Sequence, residues 1–126
     1  SFALTSAIDD LLAKVQATNG TYTEAATSFM SPPDPARLDA LRNRGAKLLI
    51  YHGTADPIFS SDESVSRYEA IRAARGGDAS DFARLFLIPG MNHCSGGPAT
   101  DQFDIIQPLV DWVERGMAPA SITAQA

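Results

Sequence analysis

Apolar positions along the chain recur in two ways, as helical stripes and as unbroken runs. Leu4, Ile8, Leu11, Leu12 and Val15 share one helical face, with Asp9 and Asp10 on the other, and Asn19-Gly20 stops the pattern. Residues 20–33 are rich in Thr, Ser and Pro. They read as an ordered loop anchored by Tyr22, Phe29 and Met30, with one helical turn from Glu24. Asp34-Pro35 then offers a helix start, a capping carboxylate followed by a proline whose missing N–H costs nothing at the first helical position. Leu38 and Leu41 form the buried stripe of that helix, Arg42 and Arg44 suit its last turn, and Gly45 ends it.

Two segments depart from helical spacing. Residues 47–52 (Lys-Leu-Leu-Ile-Tyr-His) and 82–88, with Leu85, Phe86, Leu87 and Ile88 in succession, are continuous rather than alternating. Runs of this length predict strands buried on both faces of a parallel sheet. Between them, Ser60 to Glu63 has the capping-box pattern, and Val65, Tyr68, Ile71 and Arg72 carry a helix to Gly76-Gly77. After the second run, Pro89-Gly90 opens a glycine-rich loop to Pro98. A last helix bears Phe103, Ile106, Val110 and Val113, with Pro108 inside it predicting a kink or a late start near Ile105, and Gly116 and Pro119 closing it.

The predicted order is helix, helix, strand, helix, strand, helix, with one right-handed βαβ unit at its centre. Two strands leave both sheet edges open, and the unbroken runs ask for cover on both faces. The expectation is an α/β chain whose sheet is incomplete, and which self-associates through a strand edge or an uncovered apolar face. No internal repeat is visible.

Composition narrows the function classes. The chain has 126 residues, 44% hydrophobic and 20% charged, which fits one globular domain and is short for a complete α/β enzyme. A net charge of −5 argues against nucleic acid, which needs a basic stripe. No apolar run reaches the ~18 residues of a membrane span, and no basic-then-apolar leader opens the sequence. Cys94 is the single cysteine, so it is free, metal-bound or paired with another chain.

Both predicted strands run into loops that carry ionisable residues. The first loop reads His52-Gly53-Thr54-Ala55-Asp56-Pro57 and the second Pro89-Gly90-Met91-Asn92-His93-Cys94. Sites in open α/β sheets lie beyond the carboxyl ends of strands, which places Asp56 and His93 at one crevice. An Asp that orients a His is the charge partner of a nucleophile–base system, and the chain order acid then histidine is that of α/β-hydrolases.

The segments GAKLLIYHGTADP (45–57), RLFLIPGMNHCSGGP (84–98) and DQFDIIQPLVDWVERG (101–116) resemble, in this order, the C-terminal end of the tannase and feruloyl esterase family of α/β-hydrolases. The resemblance implies a two-stranded C-terminal part of an α/β-hydrolase fold with covering helices. Residues 1–44 would be a helical lead-in, and residues 45–126 the segment with the acid and histidine loops. It implies that Asp56 and His93 are triad members, that Cys94 pairs with a cysteine preceding the nucleophilic serine, and that no cofactor is used. The substrates would be phenolic-acid esters such as feruloyl or galloyl esters, and the enzyme would be secreted or periplasmic. Here the chain departs from the family pattern. No glycine is followed two positions on by serine, so the G-x-S-x-G elbow is missing and the chain by itself is expected to be inactive.

Plainer roles stand beside these. Asp56 before Pro57 suits an Asx-turn. His93 could be an exposed loop histidine, and Cys94 a small buried hydrophobe, a free thiol or one half of a Cys94–Cys94 bridge between chains. His52, at a strand end, is expected to bond a neighbouring loop, with a place at the pocket as its other role. Phe59 either lines an aromatic pocket or makes a core contact, and Trp112 and Phe103 are core packing. Two rival functions are a stand-alone binding or interaction domain with idle motif loops, and a metal-dependent hydrolase built on His52, Asp56 and His93. No compact zinc spacing supports the latter.

Overall fold

The structure, a computed structural model, describes residues 5–30, 34 and 36–126. Leu4, Pro35 and residues 31–33 of the expected loop lie outside the described residues. The chain divides into two compact units, residues 1–35 and 36–126.

In the first unit, α1 (Ile8–Gln16) forms where the spacing predicts it, with Asp9 and Asp10 in its first turn. Its stripe is not buried within the unit: Ile8, Leu12 and Val15 are exposed. The expected anchors Tyr22, Phe29 and Met30 are exposed as well. The helical turn expected from Glu24 starts later, as α2 (Thr27–Met30), with the Ser28 hydroxyl donating to the Ala25 carbonyl.

The second unit is organised by a parallel pair, β1 (Leu48–Gly53) and β2 (Ala83–Ile88), in register from Leu48↔Ala83 to Gly53↔Ile88. Before it, α3 (Asp39–Asn43) begins well after Asp34, with Leu38 at the cap and no side-chain cap bond. Tertiary contacts decide this start rather than the Asp-Pro signal. Leu38 and Leu41 pack on the core, and Asp39 in the first turn pairs with Arg75. Gly45, at φ +78°, ends the helix with its N–H on the Arg42 carbonyl.

The crossover helix, α4 (Ser61–Ala73), is capped by Ser60, whose hydroxyl accepts from the Asp62 N–H at 3.2 Å rather than from Glu63. Tyr68 and Ile71 of α4, with Ala79 and Phe82 of the following turn, close on Leu48 and Ala83. Alternation places Leu48, Ile50 and His52 on this face of β1 and Leu49 and Tyr51 on the other. On that other side Trp112 of α5 (Ile106–Arg115) is buried, with the Lys47 ammonium 5.3 Å and the Arg84 guanidinium 5.7 Å from its ring centre.

The last helix starts late rather than kinking. Asp104 accepts from the N–H groups of Ile106 and Gln107, and Pro108 falls in the first turn, where the N–H that proline lacks would have no helical partner. Two expectations are corrected here. Phe103 belongs to a short strand, β3 (Gln102–Phe103), antiparallel to β4 (Ala124–Gln125), and its ring meets Tyr51 edge-on at 5.4 Å. Ile106, Val110 and Val113 are exposed; α5 packs through Trp112, on another face of the helix. The unbroken strands are also not covered throughout, since Tyr51 and Leu87 are about 40% exposed.

Gly53 ends β1 at a point where no side chain fits. A Cβ there would lie inside contact of the Met91 carbonyl oxygen and 2.7 Å from that of Asn92, both backbone atoms. Gly53→Ala should therefore destabilise residues 36–126 by about 2–3 kcal/mol, toward the upper end of overpacking costs. Urea unfolding of the two proteins measures this; an unchanged midpoint would contradict it.

Candidate active site

Because β1 and β2 finish level, the loops after Gly53 and Ile88 leave the sheet side by side. Backbone bonds join them at once. Thr54 donates its N–H to the Ile88 carbonyl at 3.0 Å, Ala55 donates to Met91 at 3.1 Å, and the Thr54 hydroxyl accepts from the Gly90 N–H at 3.0 Å. Met91 is buried beneath the crossing.

Asp56 and His93 meet there. The His93 Nδ1 lies 2.9 Å from Asp56 Oδ2. The other oxygen, Oδ1, accepts from the N–H groups of Ile58 at 2.8 Å and Phe59 at 3.0 Å. The Asx-turn and the histidine contact are thus both present, one to each carboxylate oxygen. The Asp56 side chain is 5% exposed, and that of His93 is 41%. Burial works to raise the Asp56 pKa. The bond to His93 and the N–H groups of Phe59 and Ile58 outweigh it, and the carboxyl is held down at about 2.

His52 extends the site on the α4 side. Its Nδ1 is 2.7 Å from the Ser64 hydroxyl, its Nε2 3.2 Å from the Phe59 carbonyl oxygen, and Nε2 also lies 3.3 Å from Asp56 Oδ2. Sequence reasoning expected a bond to a neighbouring loop. It missed Ser64, one turn into α4, for which only the helix phase relative to Ser60 gave a signal. Phe59 sets its ring 5.4 Å from the His93 ring, so it faces the site rather than the core.

Cys94 is an exposed free thiol, not a small buried hydrophobe. It occupies φ +65° at the centre of a tight turn in which Ser95 donates to the His93 carbonyl at 2.9 Å. The loop around it is held by Asn92 N–H to Gly96 O at 2.9 Å and by Gly96 N–H to the Asp101 carboxylate at 2.6 Å. The Gly96 N–H and the Gln102 amide, which donate to it, hold the Asp101 carboxyl below its ordinary value against its burial. Asp56, Phe59, His93 and Cys94, with Glu63 and Arg67 of α4, line one open pocket of about 340 Å³. Among the described residues no group of three His, Cys, Asp or Glu side chains is placed to hold a metal ion, and no helix is long and apolar enough to cross a membrane.

A buried, ionised carboxylate on one nitrogen of a half-exposed histidine is an acid–base pair. Comparison with known proteins gives it a context. Residues 7–126 match the model of the tannase and feruloyl esterase family. The chain is 50% identical over 111 residues to the mono(2-hydroxyethyl) terephthalate hydrolase of Piscinibacter sakaiensis, covering 88% of this chain and 18% of that protein. It is 39% identical over 103 residues to feruloyl esterase B of Aspergillus niger, covering 68% and 20%. Among solved structures, feruloyl esterase B from Aspergillus oryzae superposes with a TM-score of 0.61 at 26% identity, over 67% of this chain and 20% of that one. The chain spans about a fifth of the length of the curated relatives it matches. Its two parallel strands and flanking helices are accordingly part of an α/β-hydrolase fold, and the names of its relatives are those of carboxylic ester hydrolases. The chain belongs to the tannase and feruloyl esterase family.

Proposed function

We propose that these residues supply the acid and the base of a serine-esterase triad whose nucleophile lies outside the 126 residues. The observation that carries this is the 2.9 Å contact between His93 Nδ1 and Asp56 Oδ2, with the other carboxylate oxygen taken by two backbone N–H groups. With Nδ1 committed, Nε2 is the nitrogen left for a nucleophile. A serine O–H gives its proton to Nε2 as its oxygen adds to the ester carbonyl. The tetrahedral adduct collapses, the alcohol departs with that proton, and the serine keeps the acyl group. Water then repeats the sequence and releases the acid and the serine. Asp56 stays ionised throughout, fixing the tautomer and stabilising the imidazolium.

For substrate, the reading favours esters of phenolic acids, feruloyl or galloyl. Phe59 beside His93 offers an aromatic wall, and relatives are named for feruloyl and terephthalate esters. Cys94 would pair with a cysteine beside the serine, and the enzyme would be secreted or periplasmic, where such a bond persists.

A chimera in which this chain replaces its counterpart in the Piscinibacter sakaiensis relative tests the assignment. The chimera should hydrolyse aromatic esters, and Asp56→Asn should lower its kcat ~10⁴-fold, the scale for loss of a triad carboxylate. The 126 residues alone should not turn over. An Asp56→Asn chimera with undiminished kcat would reject the triad reading.

The ionised acid also predicts a pH signature. The folded pKa of Asp56, about 2, lies below its ordinary value of 3.8, so the unfolded chain binds more protons between these limits. Its contribution is fully present above pH 3.8 and is lost as the pH falls through 2. The stability gap between wild type and Asp56→Asn should hold from pH 7 to about 4 and close toward pH 2, followed by urea midpoints. A gap constant over that window would contradict the pairing.

Isolated, the chain should self-associate, since among the described residues both edges of β1–β2 and the Ile106–Val110–Val113 stripe are open. Sedimentation velocity should show a concentration-dependent rise in mean mass; a compact monomer at every concentration would oppose this.

A further inference from the structure

We propose that His52 is a positioning residue of this site, a strut from α4 that fixes the Phe59 peptide and through it the carboxylate of Asp56. The inference rests on the reading of Asp56 and His93 as the acid–base pair and adds what sets their geometry.

The argument begins with donors and acceptors. The Phe59 carbonyl can only accept, so the His52 nitrogen 3.2 Å from it, Nε2, carries a proton. In the neutral ring Nδ1 is then an acceptor, and the Ser64 hydroxyl, 2.7 Å away, donates to it. Ser64 therefore selects the tautomer that can hold Phe59.

Both backbone polar groups of Phe59 are held. Its carbonyl is held by His52, and its N–H is donated to Asp56 Oδ1 at 3.0 Å. The same residue sets its ring against His93. Moving the Phe59 backbone thus disturbs a donor to Asp56 and the wall beside His93 together. The His52 side chain is 14% exposed, so water competes weakly for either bond. The nitrogen Nε2 also lies 3.3 Å from Asp56 Oδ2, so the N–H it carries faces the carboxylate with its positive end. Charged or titratable neighbours facing the same space are Glu63 and Arg67 from α4 and His93 and Cys94 from the second loop. None of these bonds the Phe59 carbonyl among the described residues.

A histidine that served stability alone would lower the melting temperature when replaced and leave Asp56 titrating as before. The test reads Asp56 directly, by ¹³C NMR of the aspartate carboxyls in the 126-residue chain, with ¹⁵N shifts for the histidine tautomers. In wild type, His52 should be protonated on Nε2 and His93 on Nδ1, and Asp56 should titrate at about 2. His52→Phe keeps a ring and removes both bonds; Ser64→Ala keeps the ring and releases its tautomer. Both should move the Asp56 midpoint upward toward 3.8, whereas Ser66→Ala, exposed on the same helix, should leave it in place. An unmoved Asp56 in either folded variant overturns the proposal, as does a wild-type His52 protonated on Nδ1. If His52→Phe does not fold, Ser64→Ala decides. A wild type in which His93 is not bonded to Asp56 refutes the acid–base reading itself, a result distinct from a pair that is present and indifferent to His52.

Discussion

The level ending of two parallel strands is the constraint on which the site depends. Asp56 lies three residues beyond β1 and His93 five beyond β2, and neither loop has helix or strand of its own to hold it out from the sheet. With a strand rise of ~3.3 Å per residue, a two-residue slip of the pair would carry the histidine loop some 6–7 Å along the sheet and out of hydrogen-bond reach. Slipping by one would turn His52 to the Trp112 face. What locks the register is backbone against backbone. Gly53 passes under the Met91 and Asn92 carbonyls, and Thr54 and Ala55 bond across to Ile88 and Met91. The glycine serves close approach and not an unusual φ, since it is absent from the positive-φ residues.

Given that placement, the carboxylate is fully employed. One oxygen orders its own loop through Ile58 and Phe59, and the other orients His93. A buried aspartate would otherwise resist ionisation; with three donors it stays charged far below neutrality. The opposite loop is stiffened differently. Cys94 takes a left-handed φ that a non-glycine residue adopts at some cost, and the bonds at Asn92, Gly96 and Asp101 over-determine the turn around it. The histidine is therefore borne on one side by a satisfied carboxylate and on the other by a strained but pinned turn.

Much of this was legible in the sequence, for identifiable reasons. Unbroken apolar runs ending at His52-Gly53 and at Ile88-Pro89 marked both strands, and the loops after them marked Asp56 and His93, because strand ends are a local signal. The start of α3 was not legible. Asp34-Pro35 is a strong local cap, but Leu38, Leu41 and the Asp39–Arg75 pair act over a distance that no local pattern encodes. The β3–β4 pair escaped because two residues per strand cannot show alternation, and Phe103 shares a helical phase with Ile106 by coincidence. Ser64 escaped because its role depends on the phase at which α4 crosses His52.

The contrast between the site's interior and its surroundings carries the last step. Every contact that sets Asp56 against His93 comes from residues 52–64 and 88–101, through short bonds within two loops and one helix turn. That is why a segment about a fifth as long as its relatives can hold the pair in order. The apolar surfaces are less self-sufficient. Tyr51, Leu87, Ile106 and Val113 remain open, and Phe59 is exposed where it lines the pocket. The Asp56–His93 geometry is thus a local property of the two strand ends, whereas, on the proposed reading, an acyl pocket beside Phe59 would take its shape from the residues that line it. On the proposed reading, substitutions in the two loops should accordingly act on the chemistry and those facing Phe59 on substrate choice, two effects that this fold keeps on separate elements.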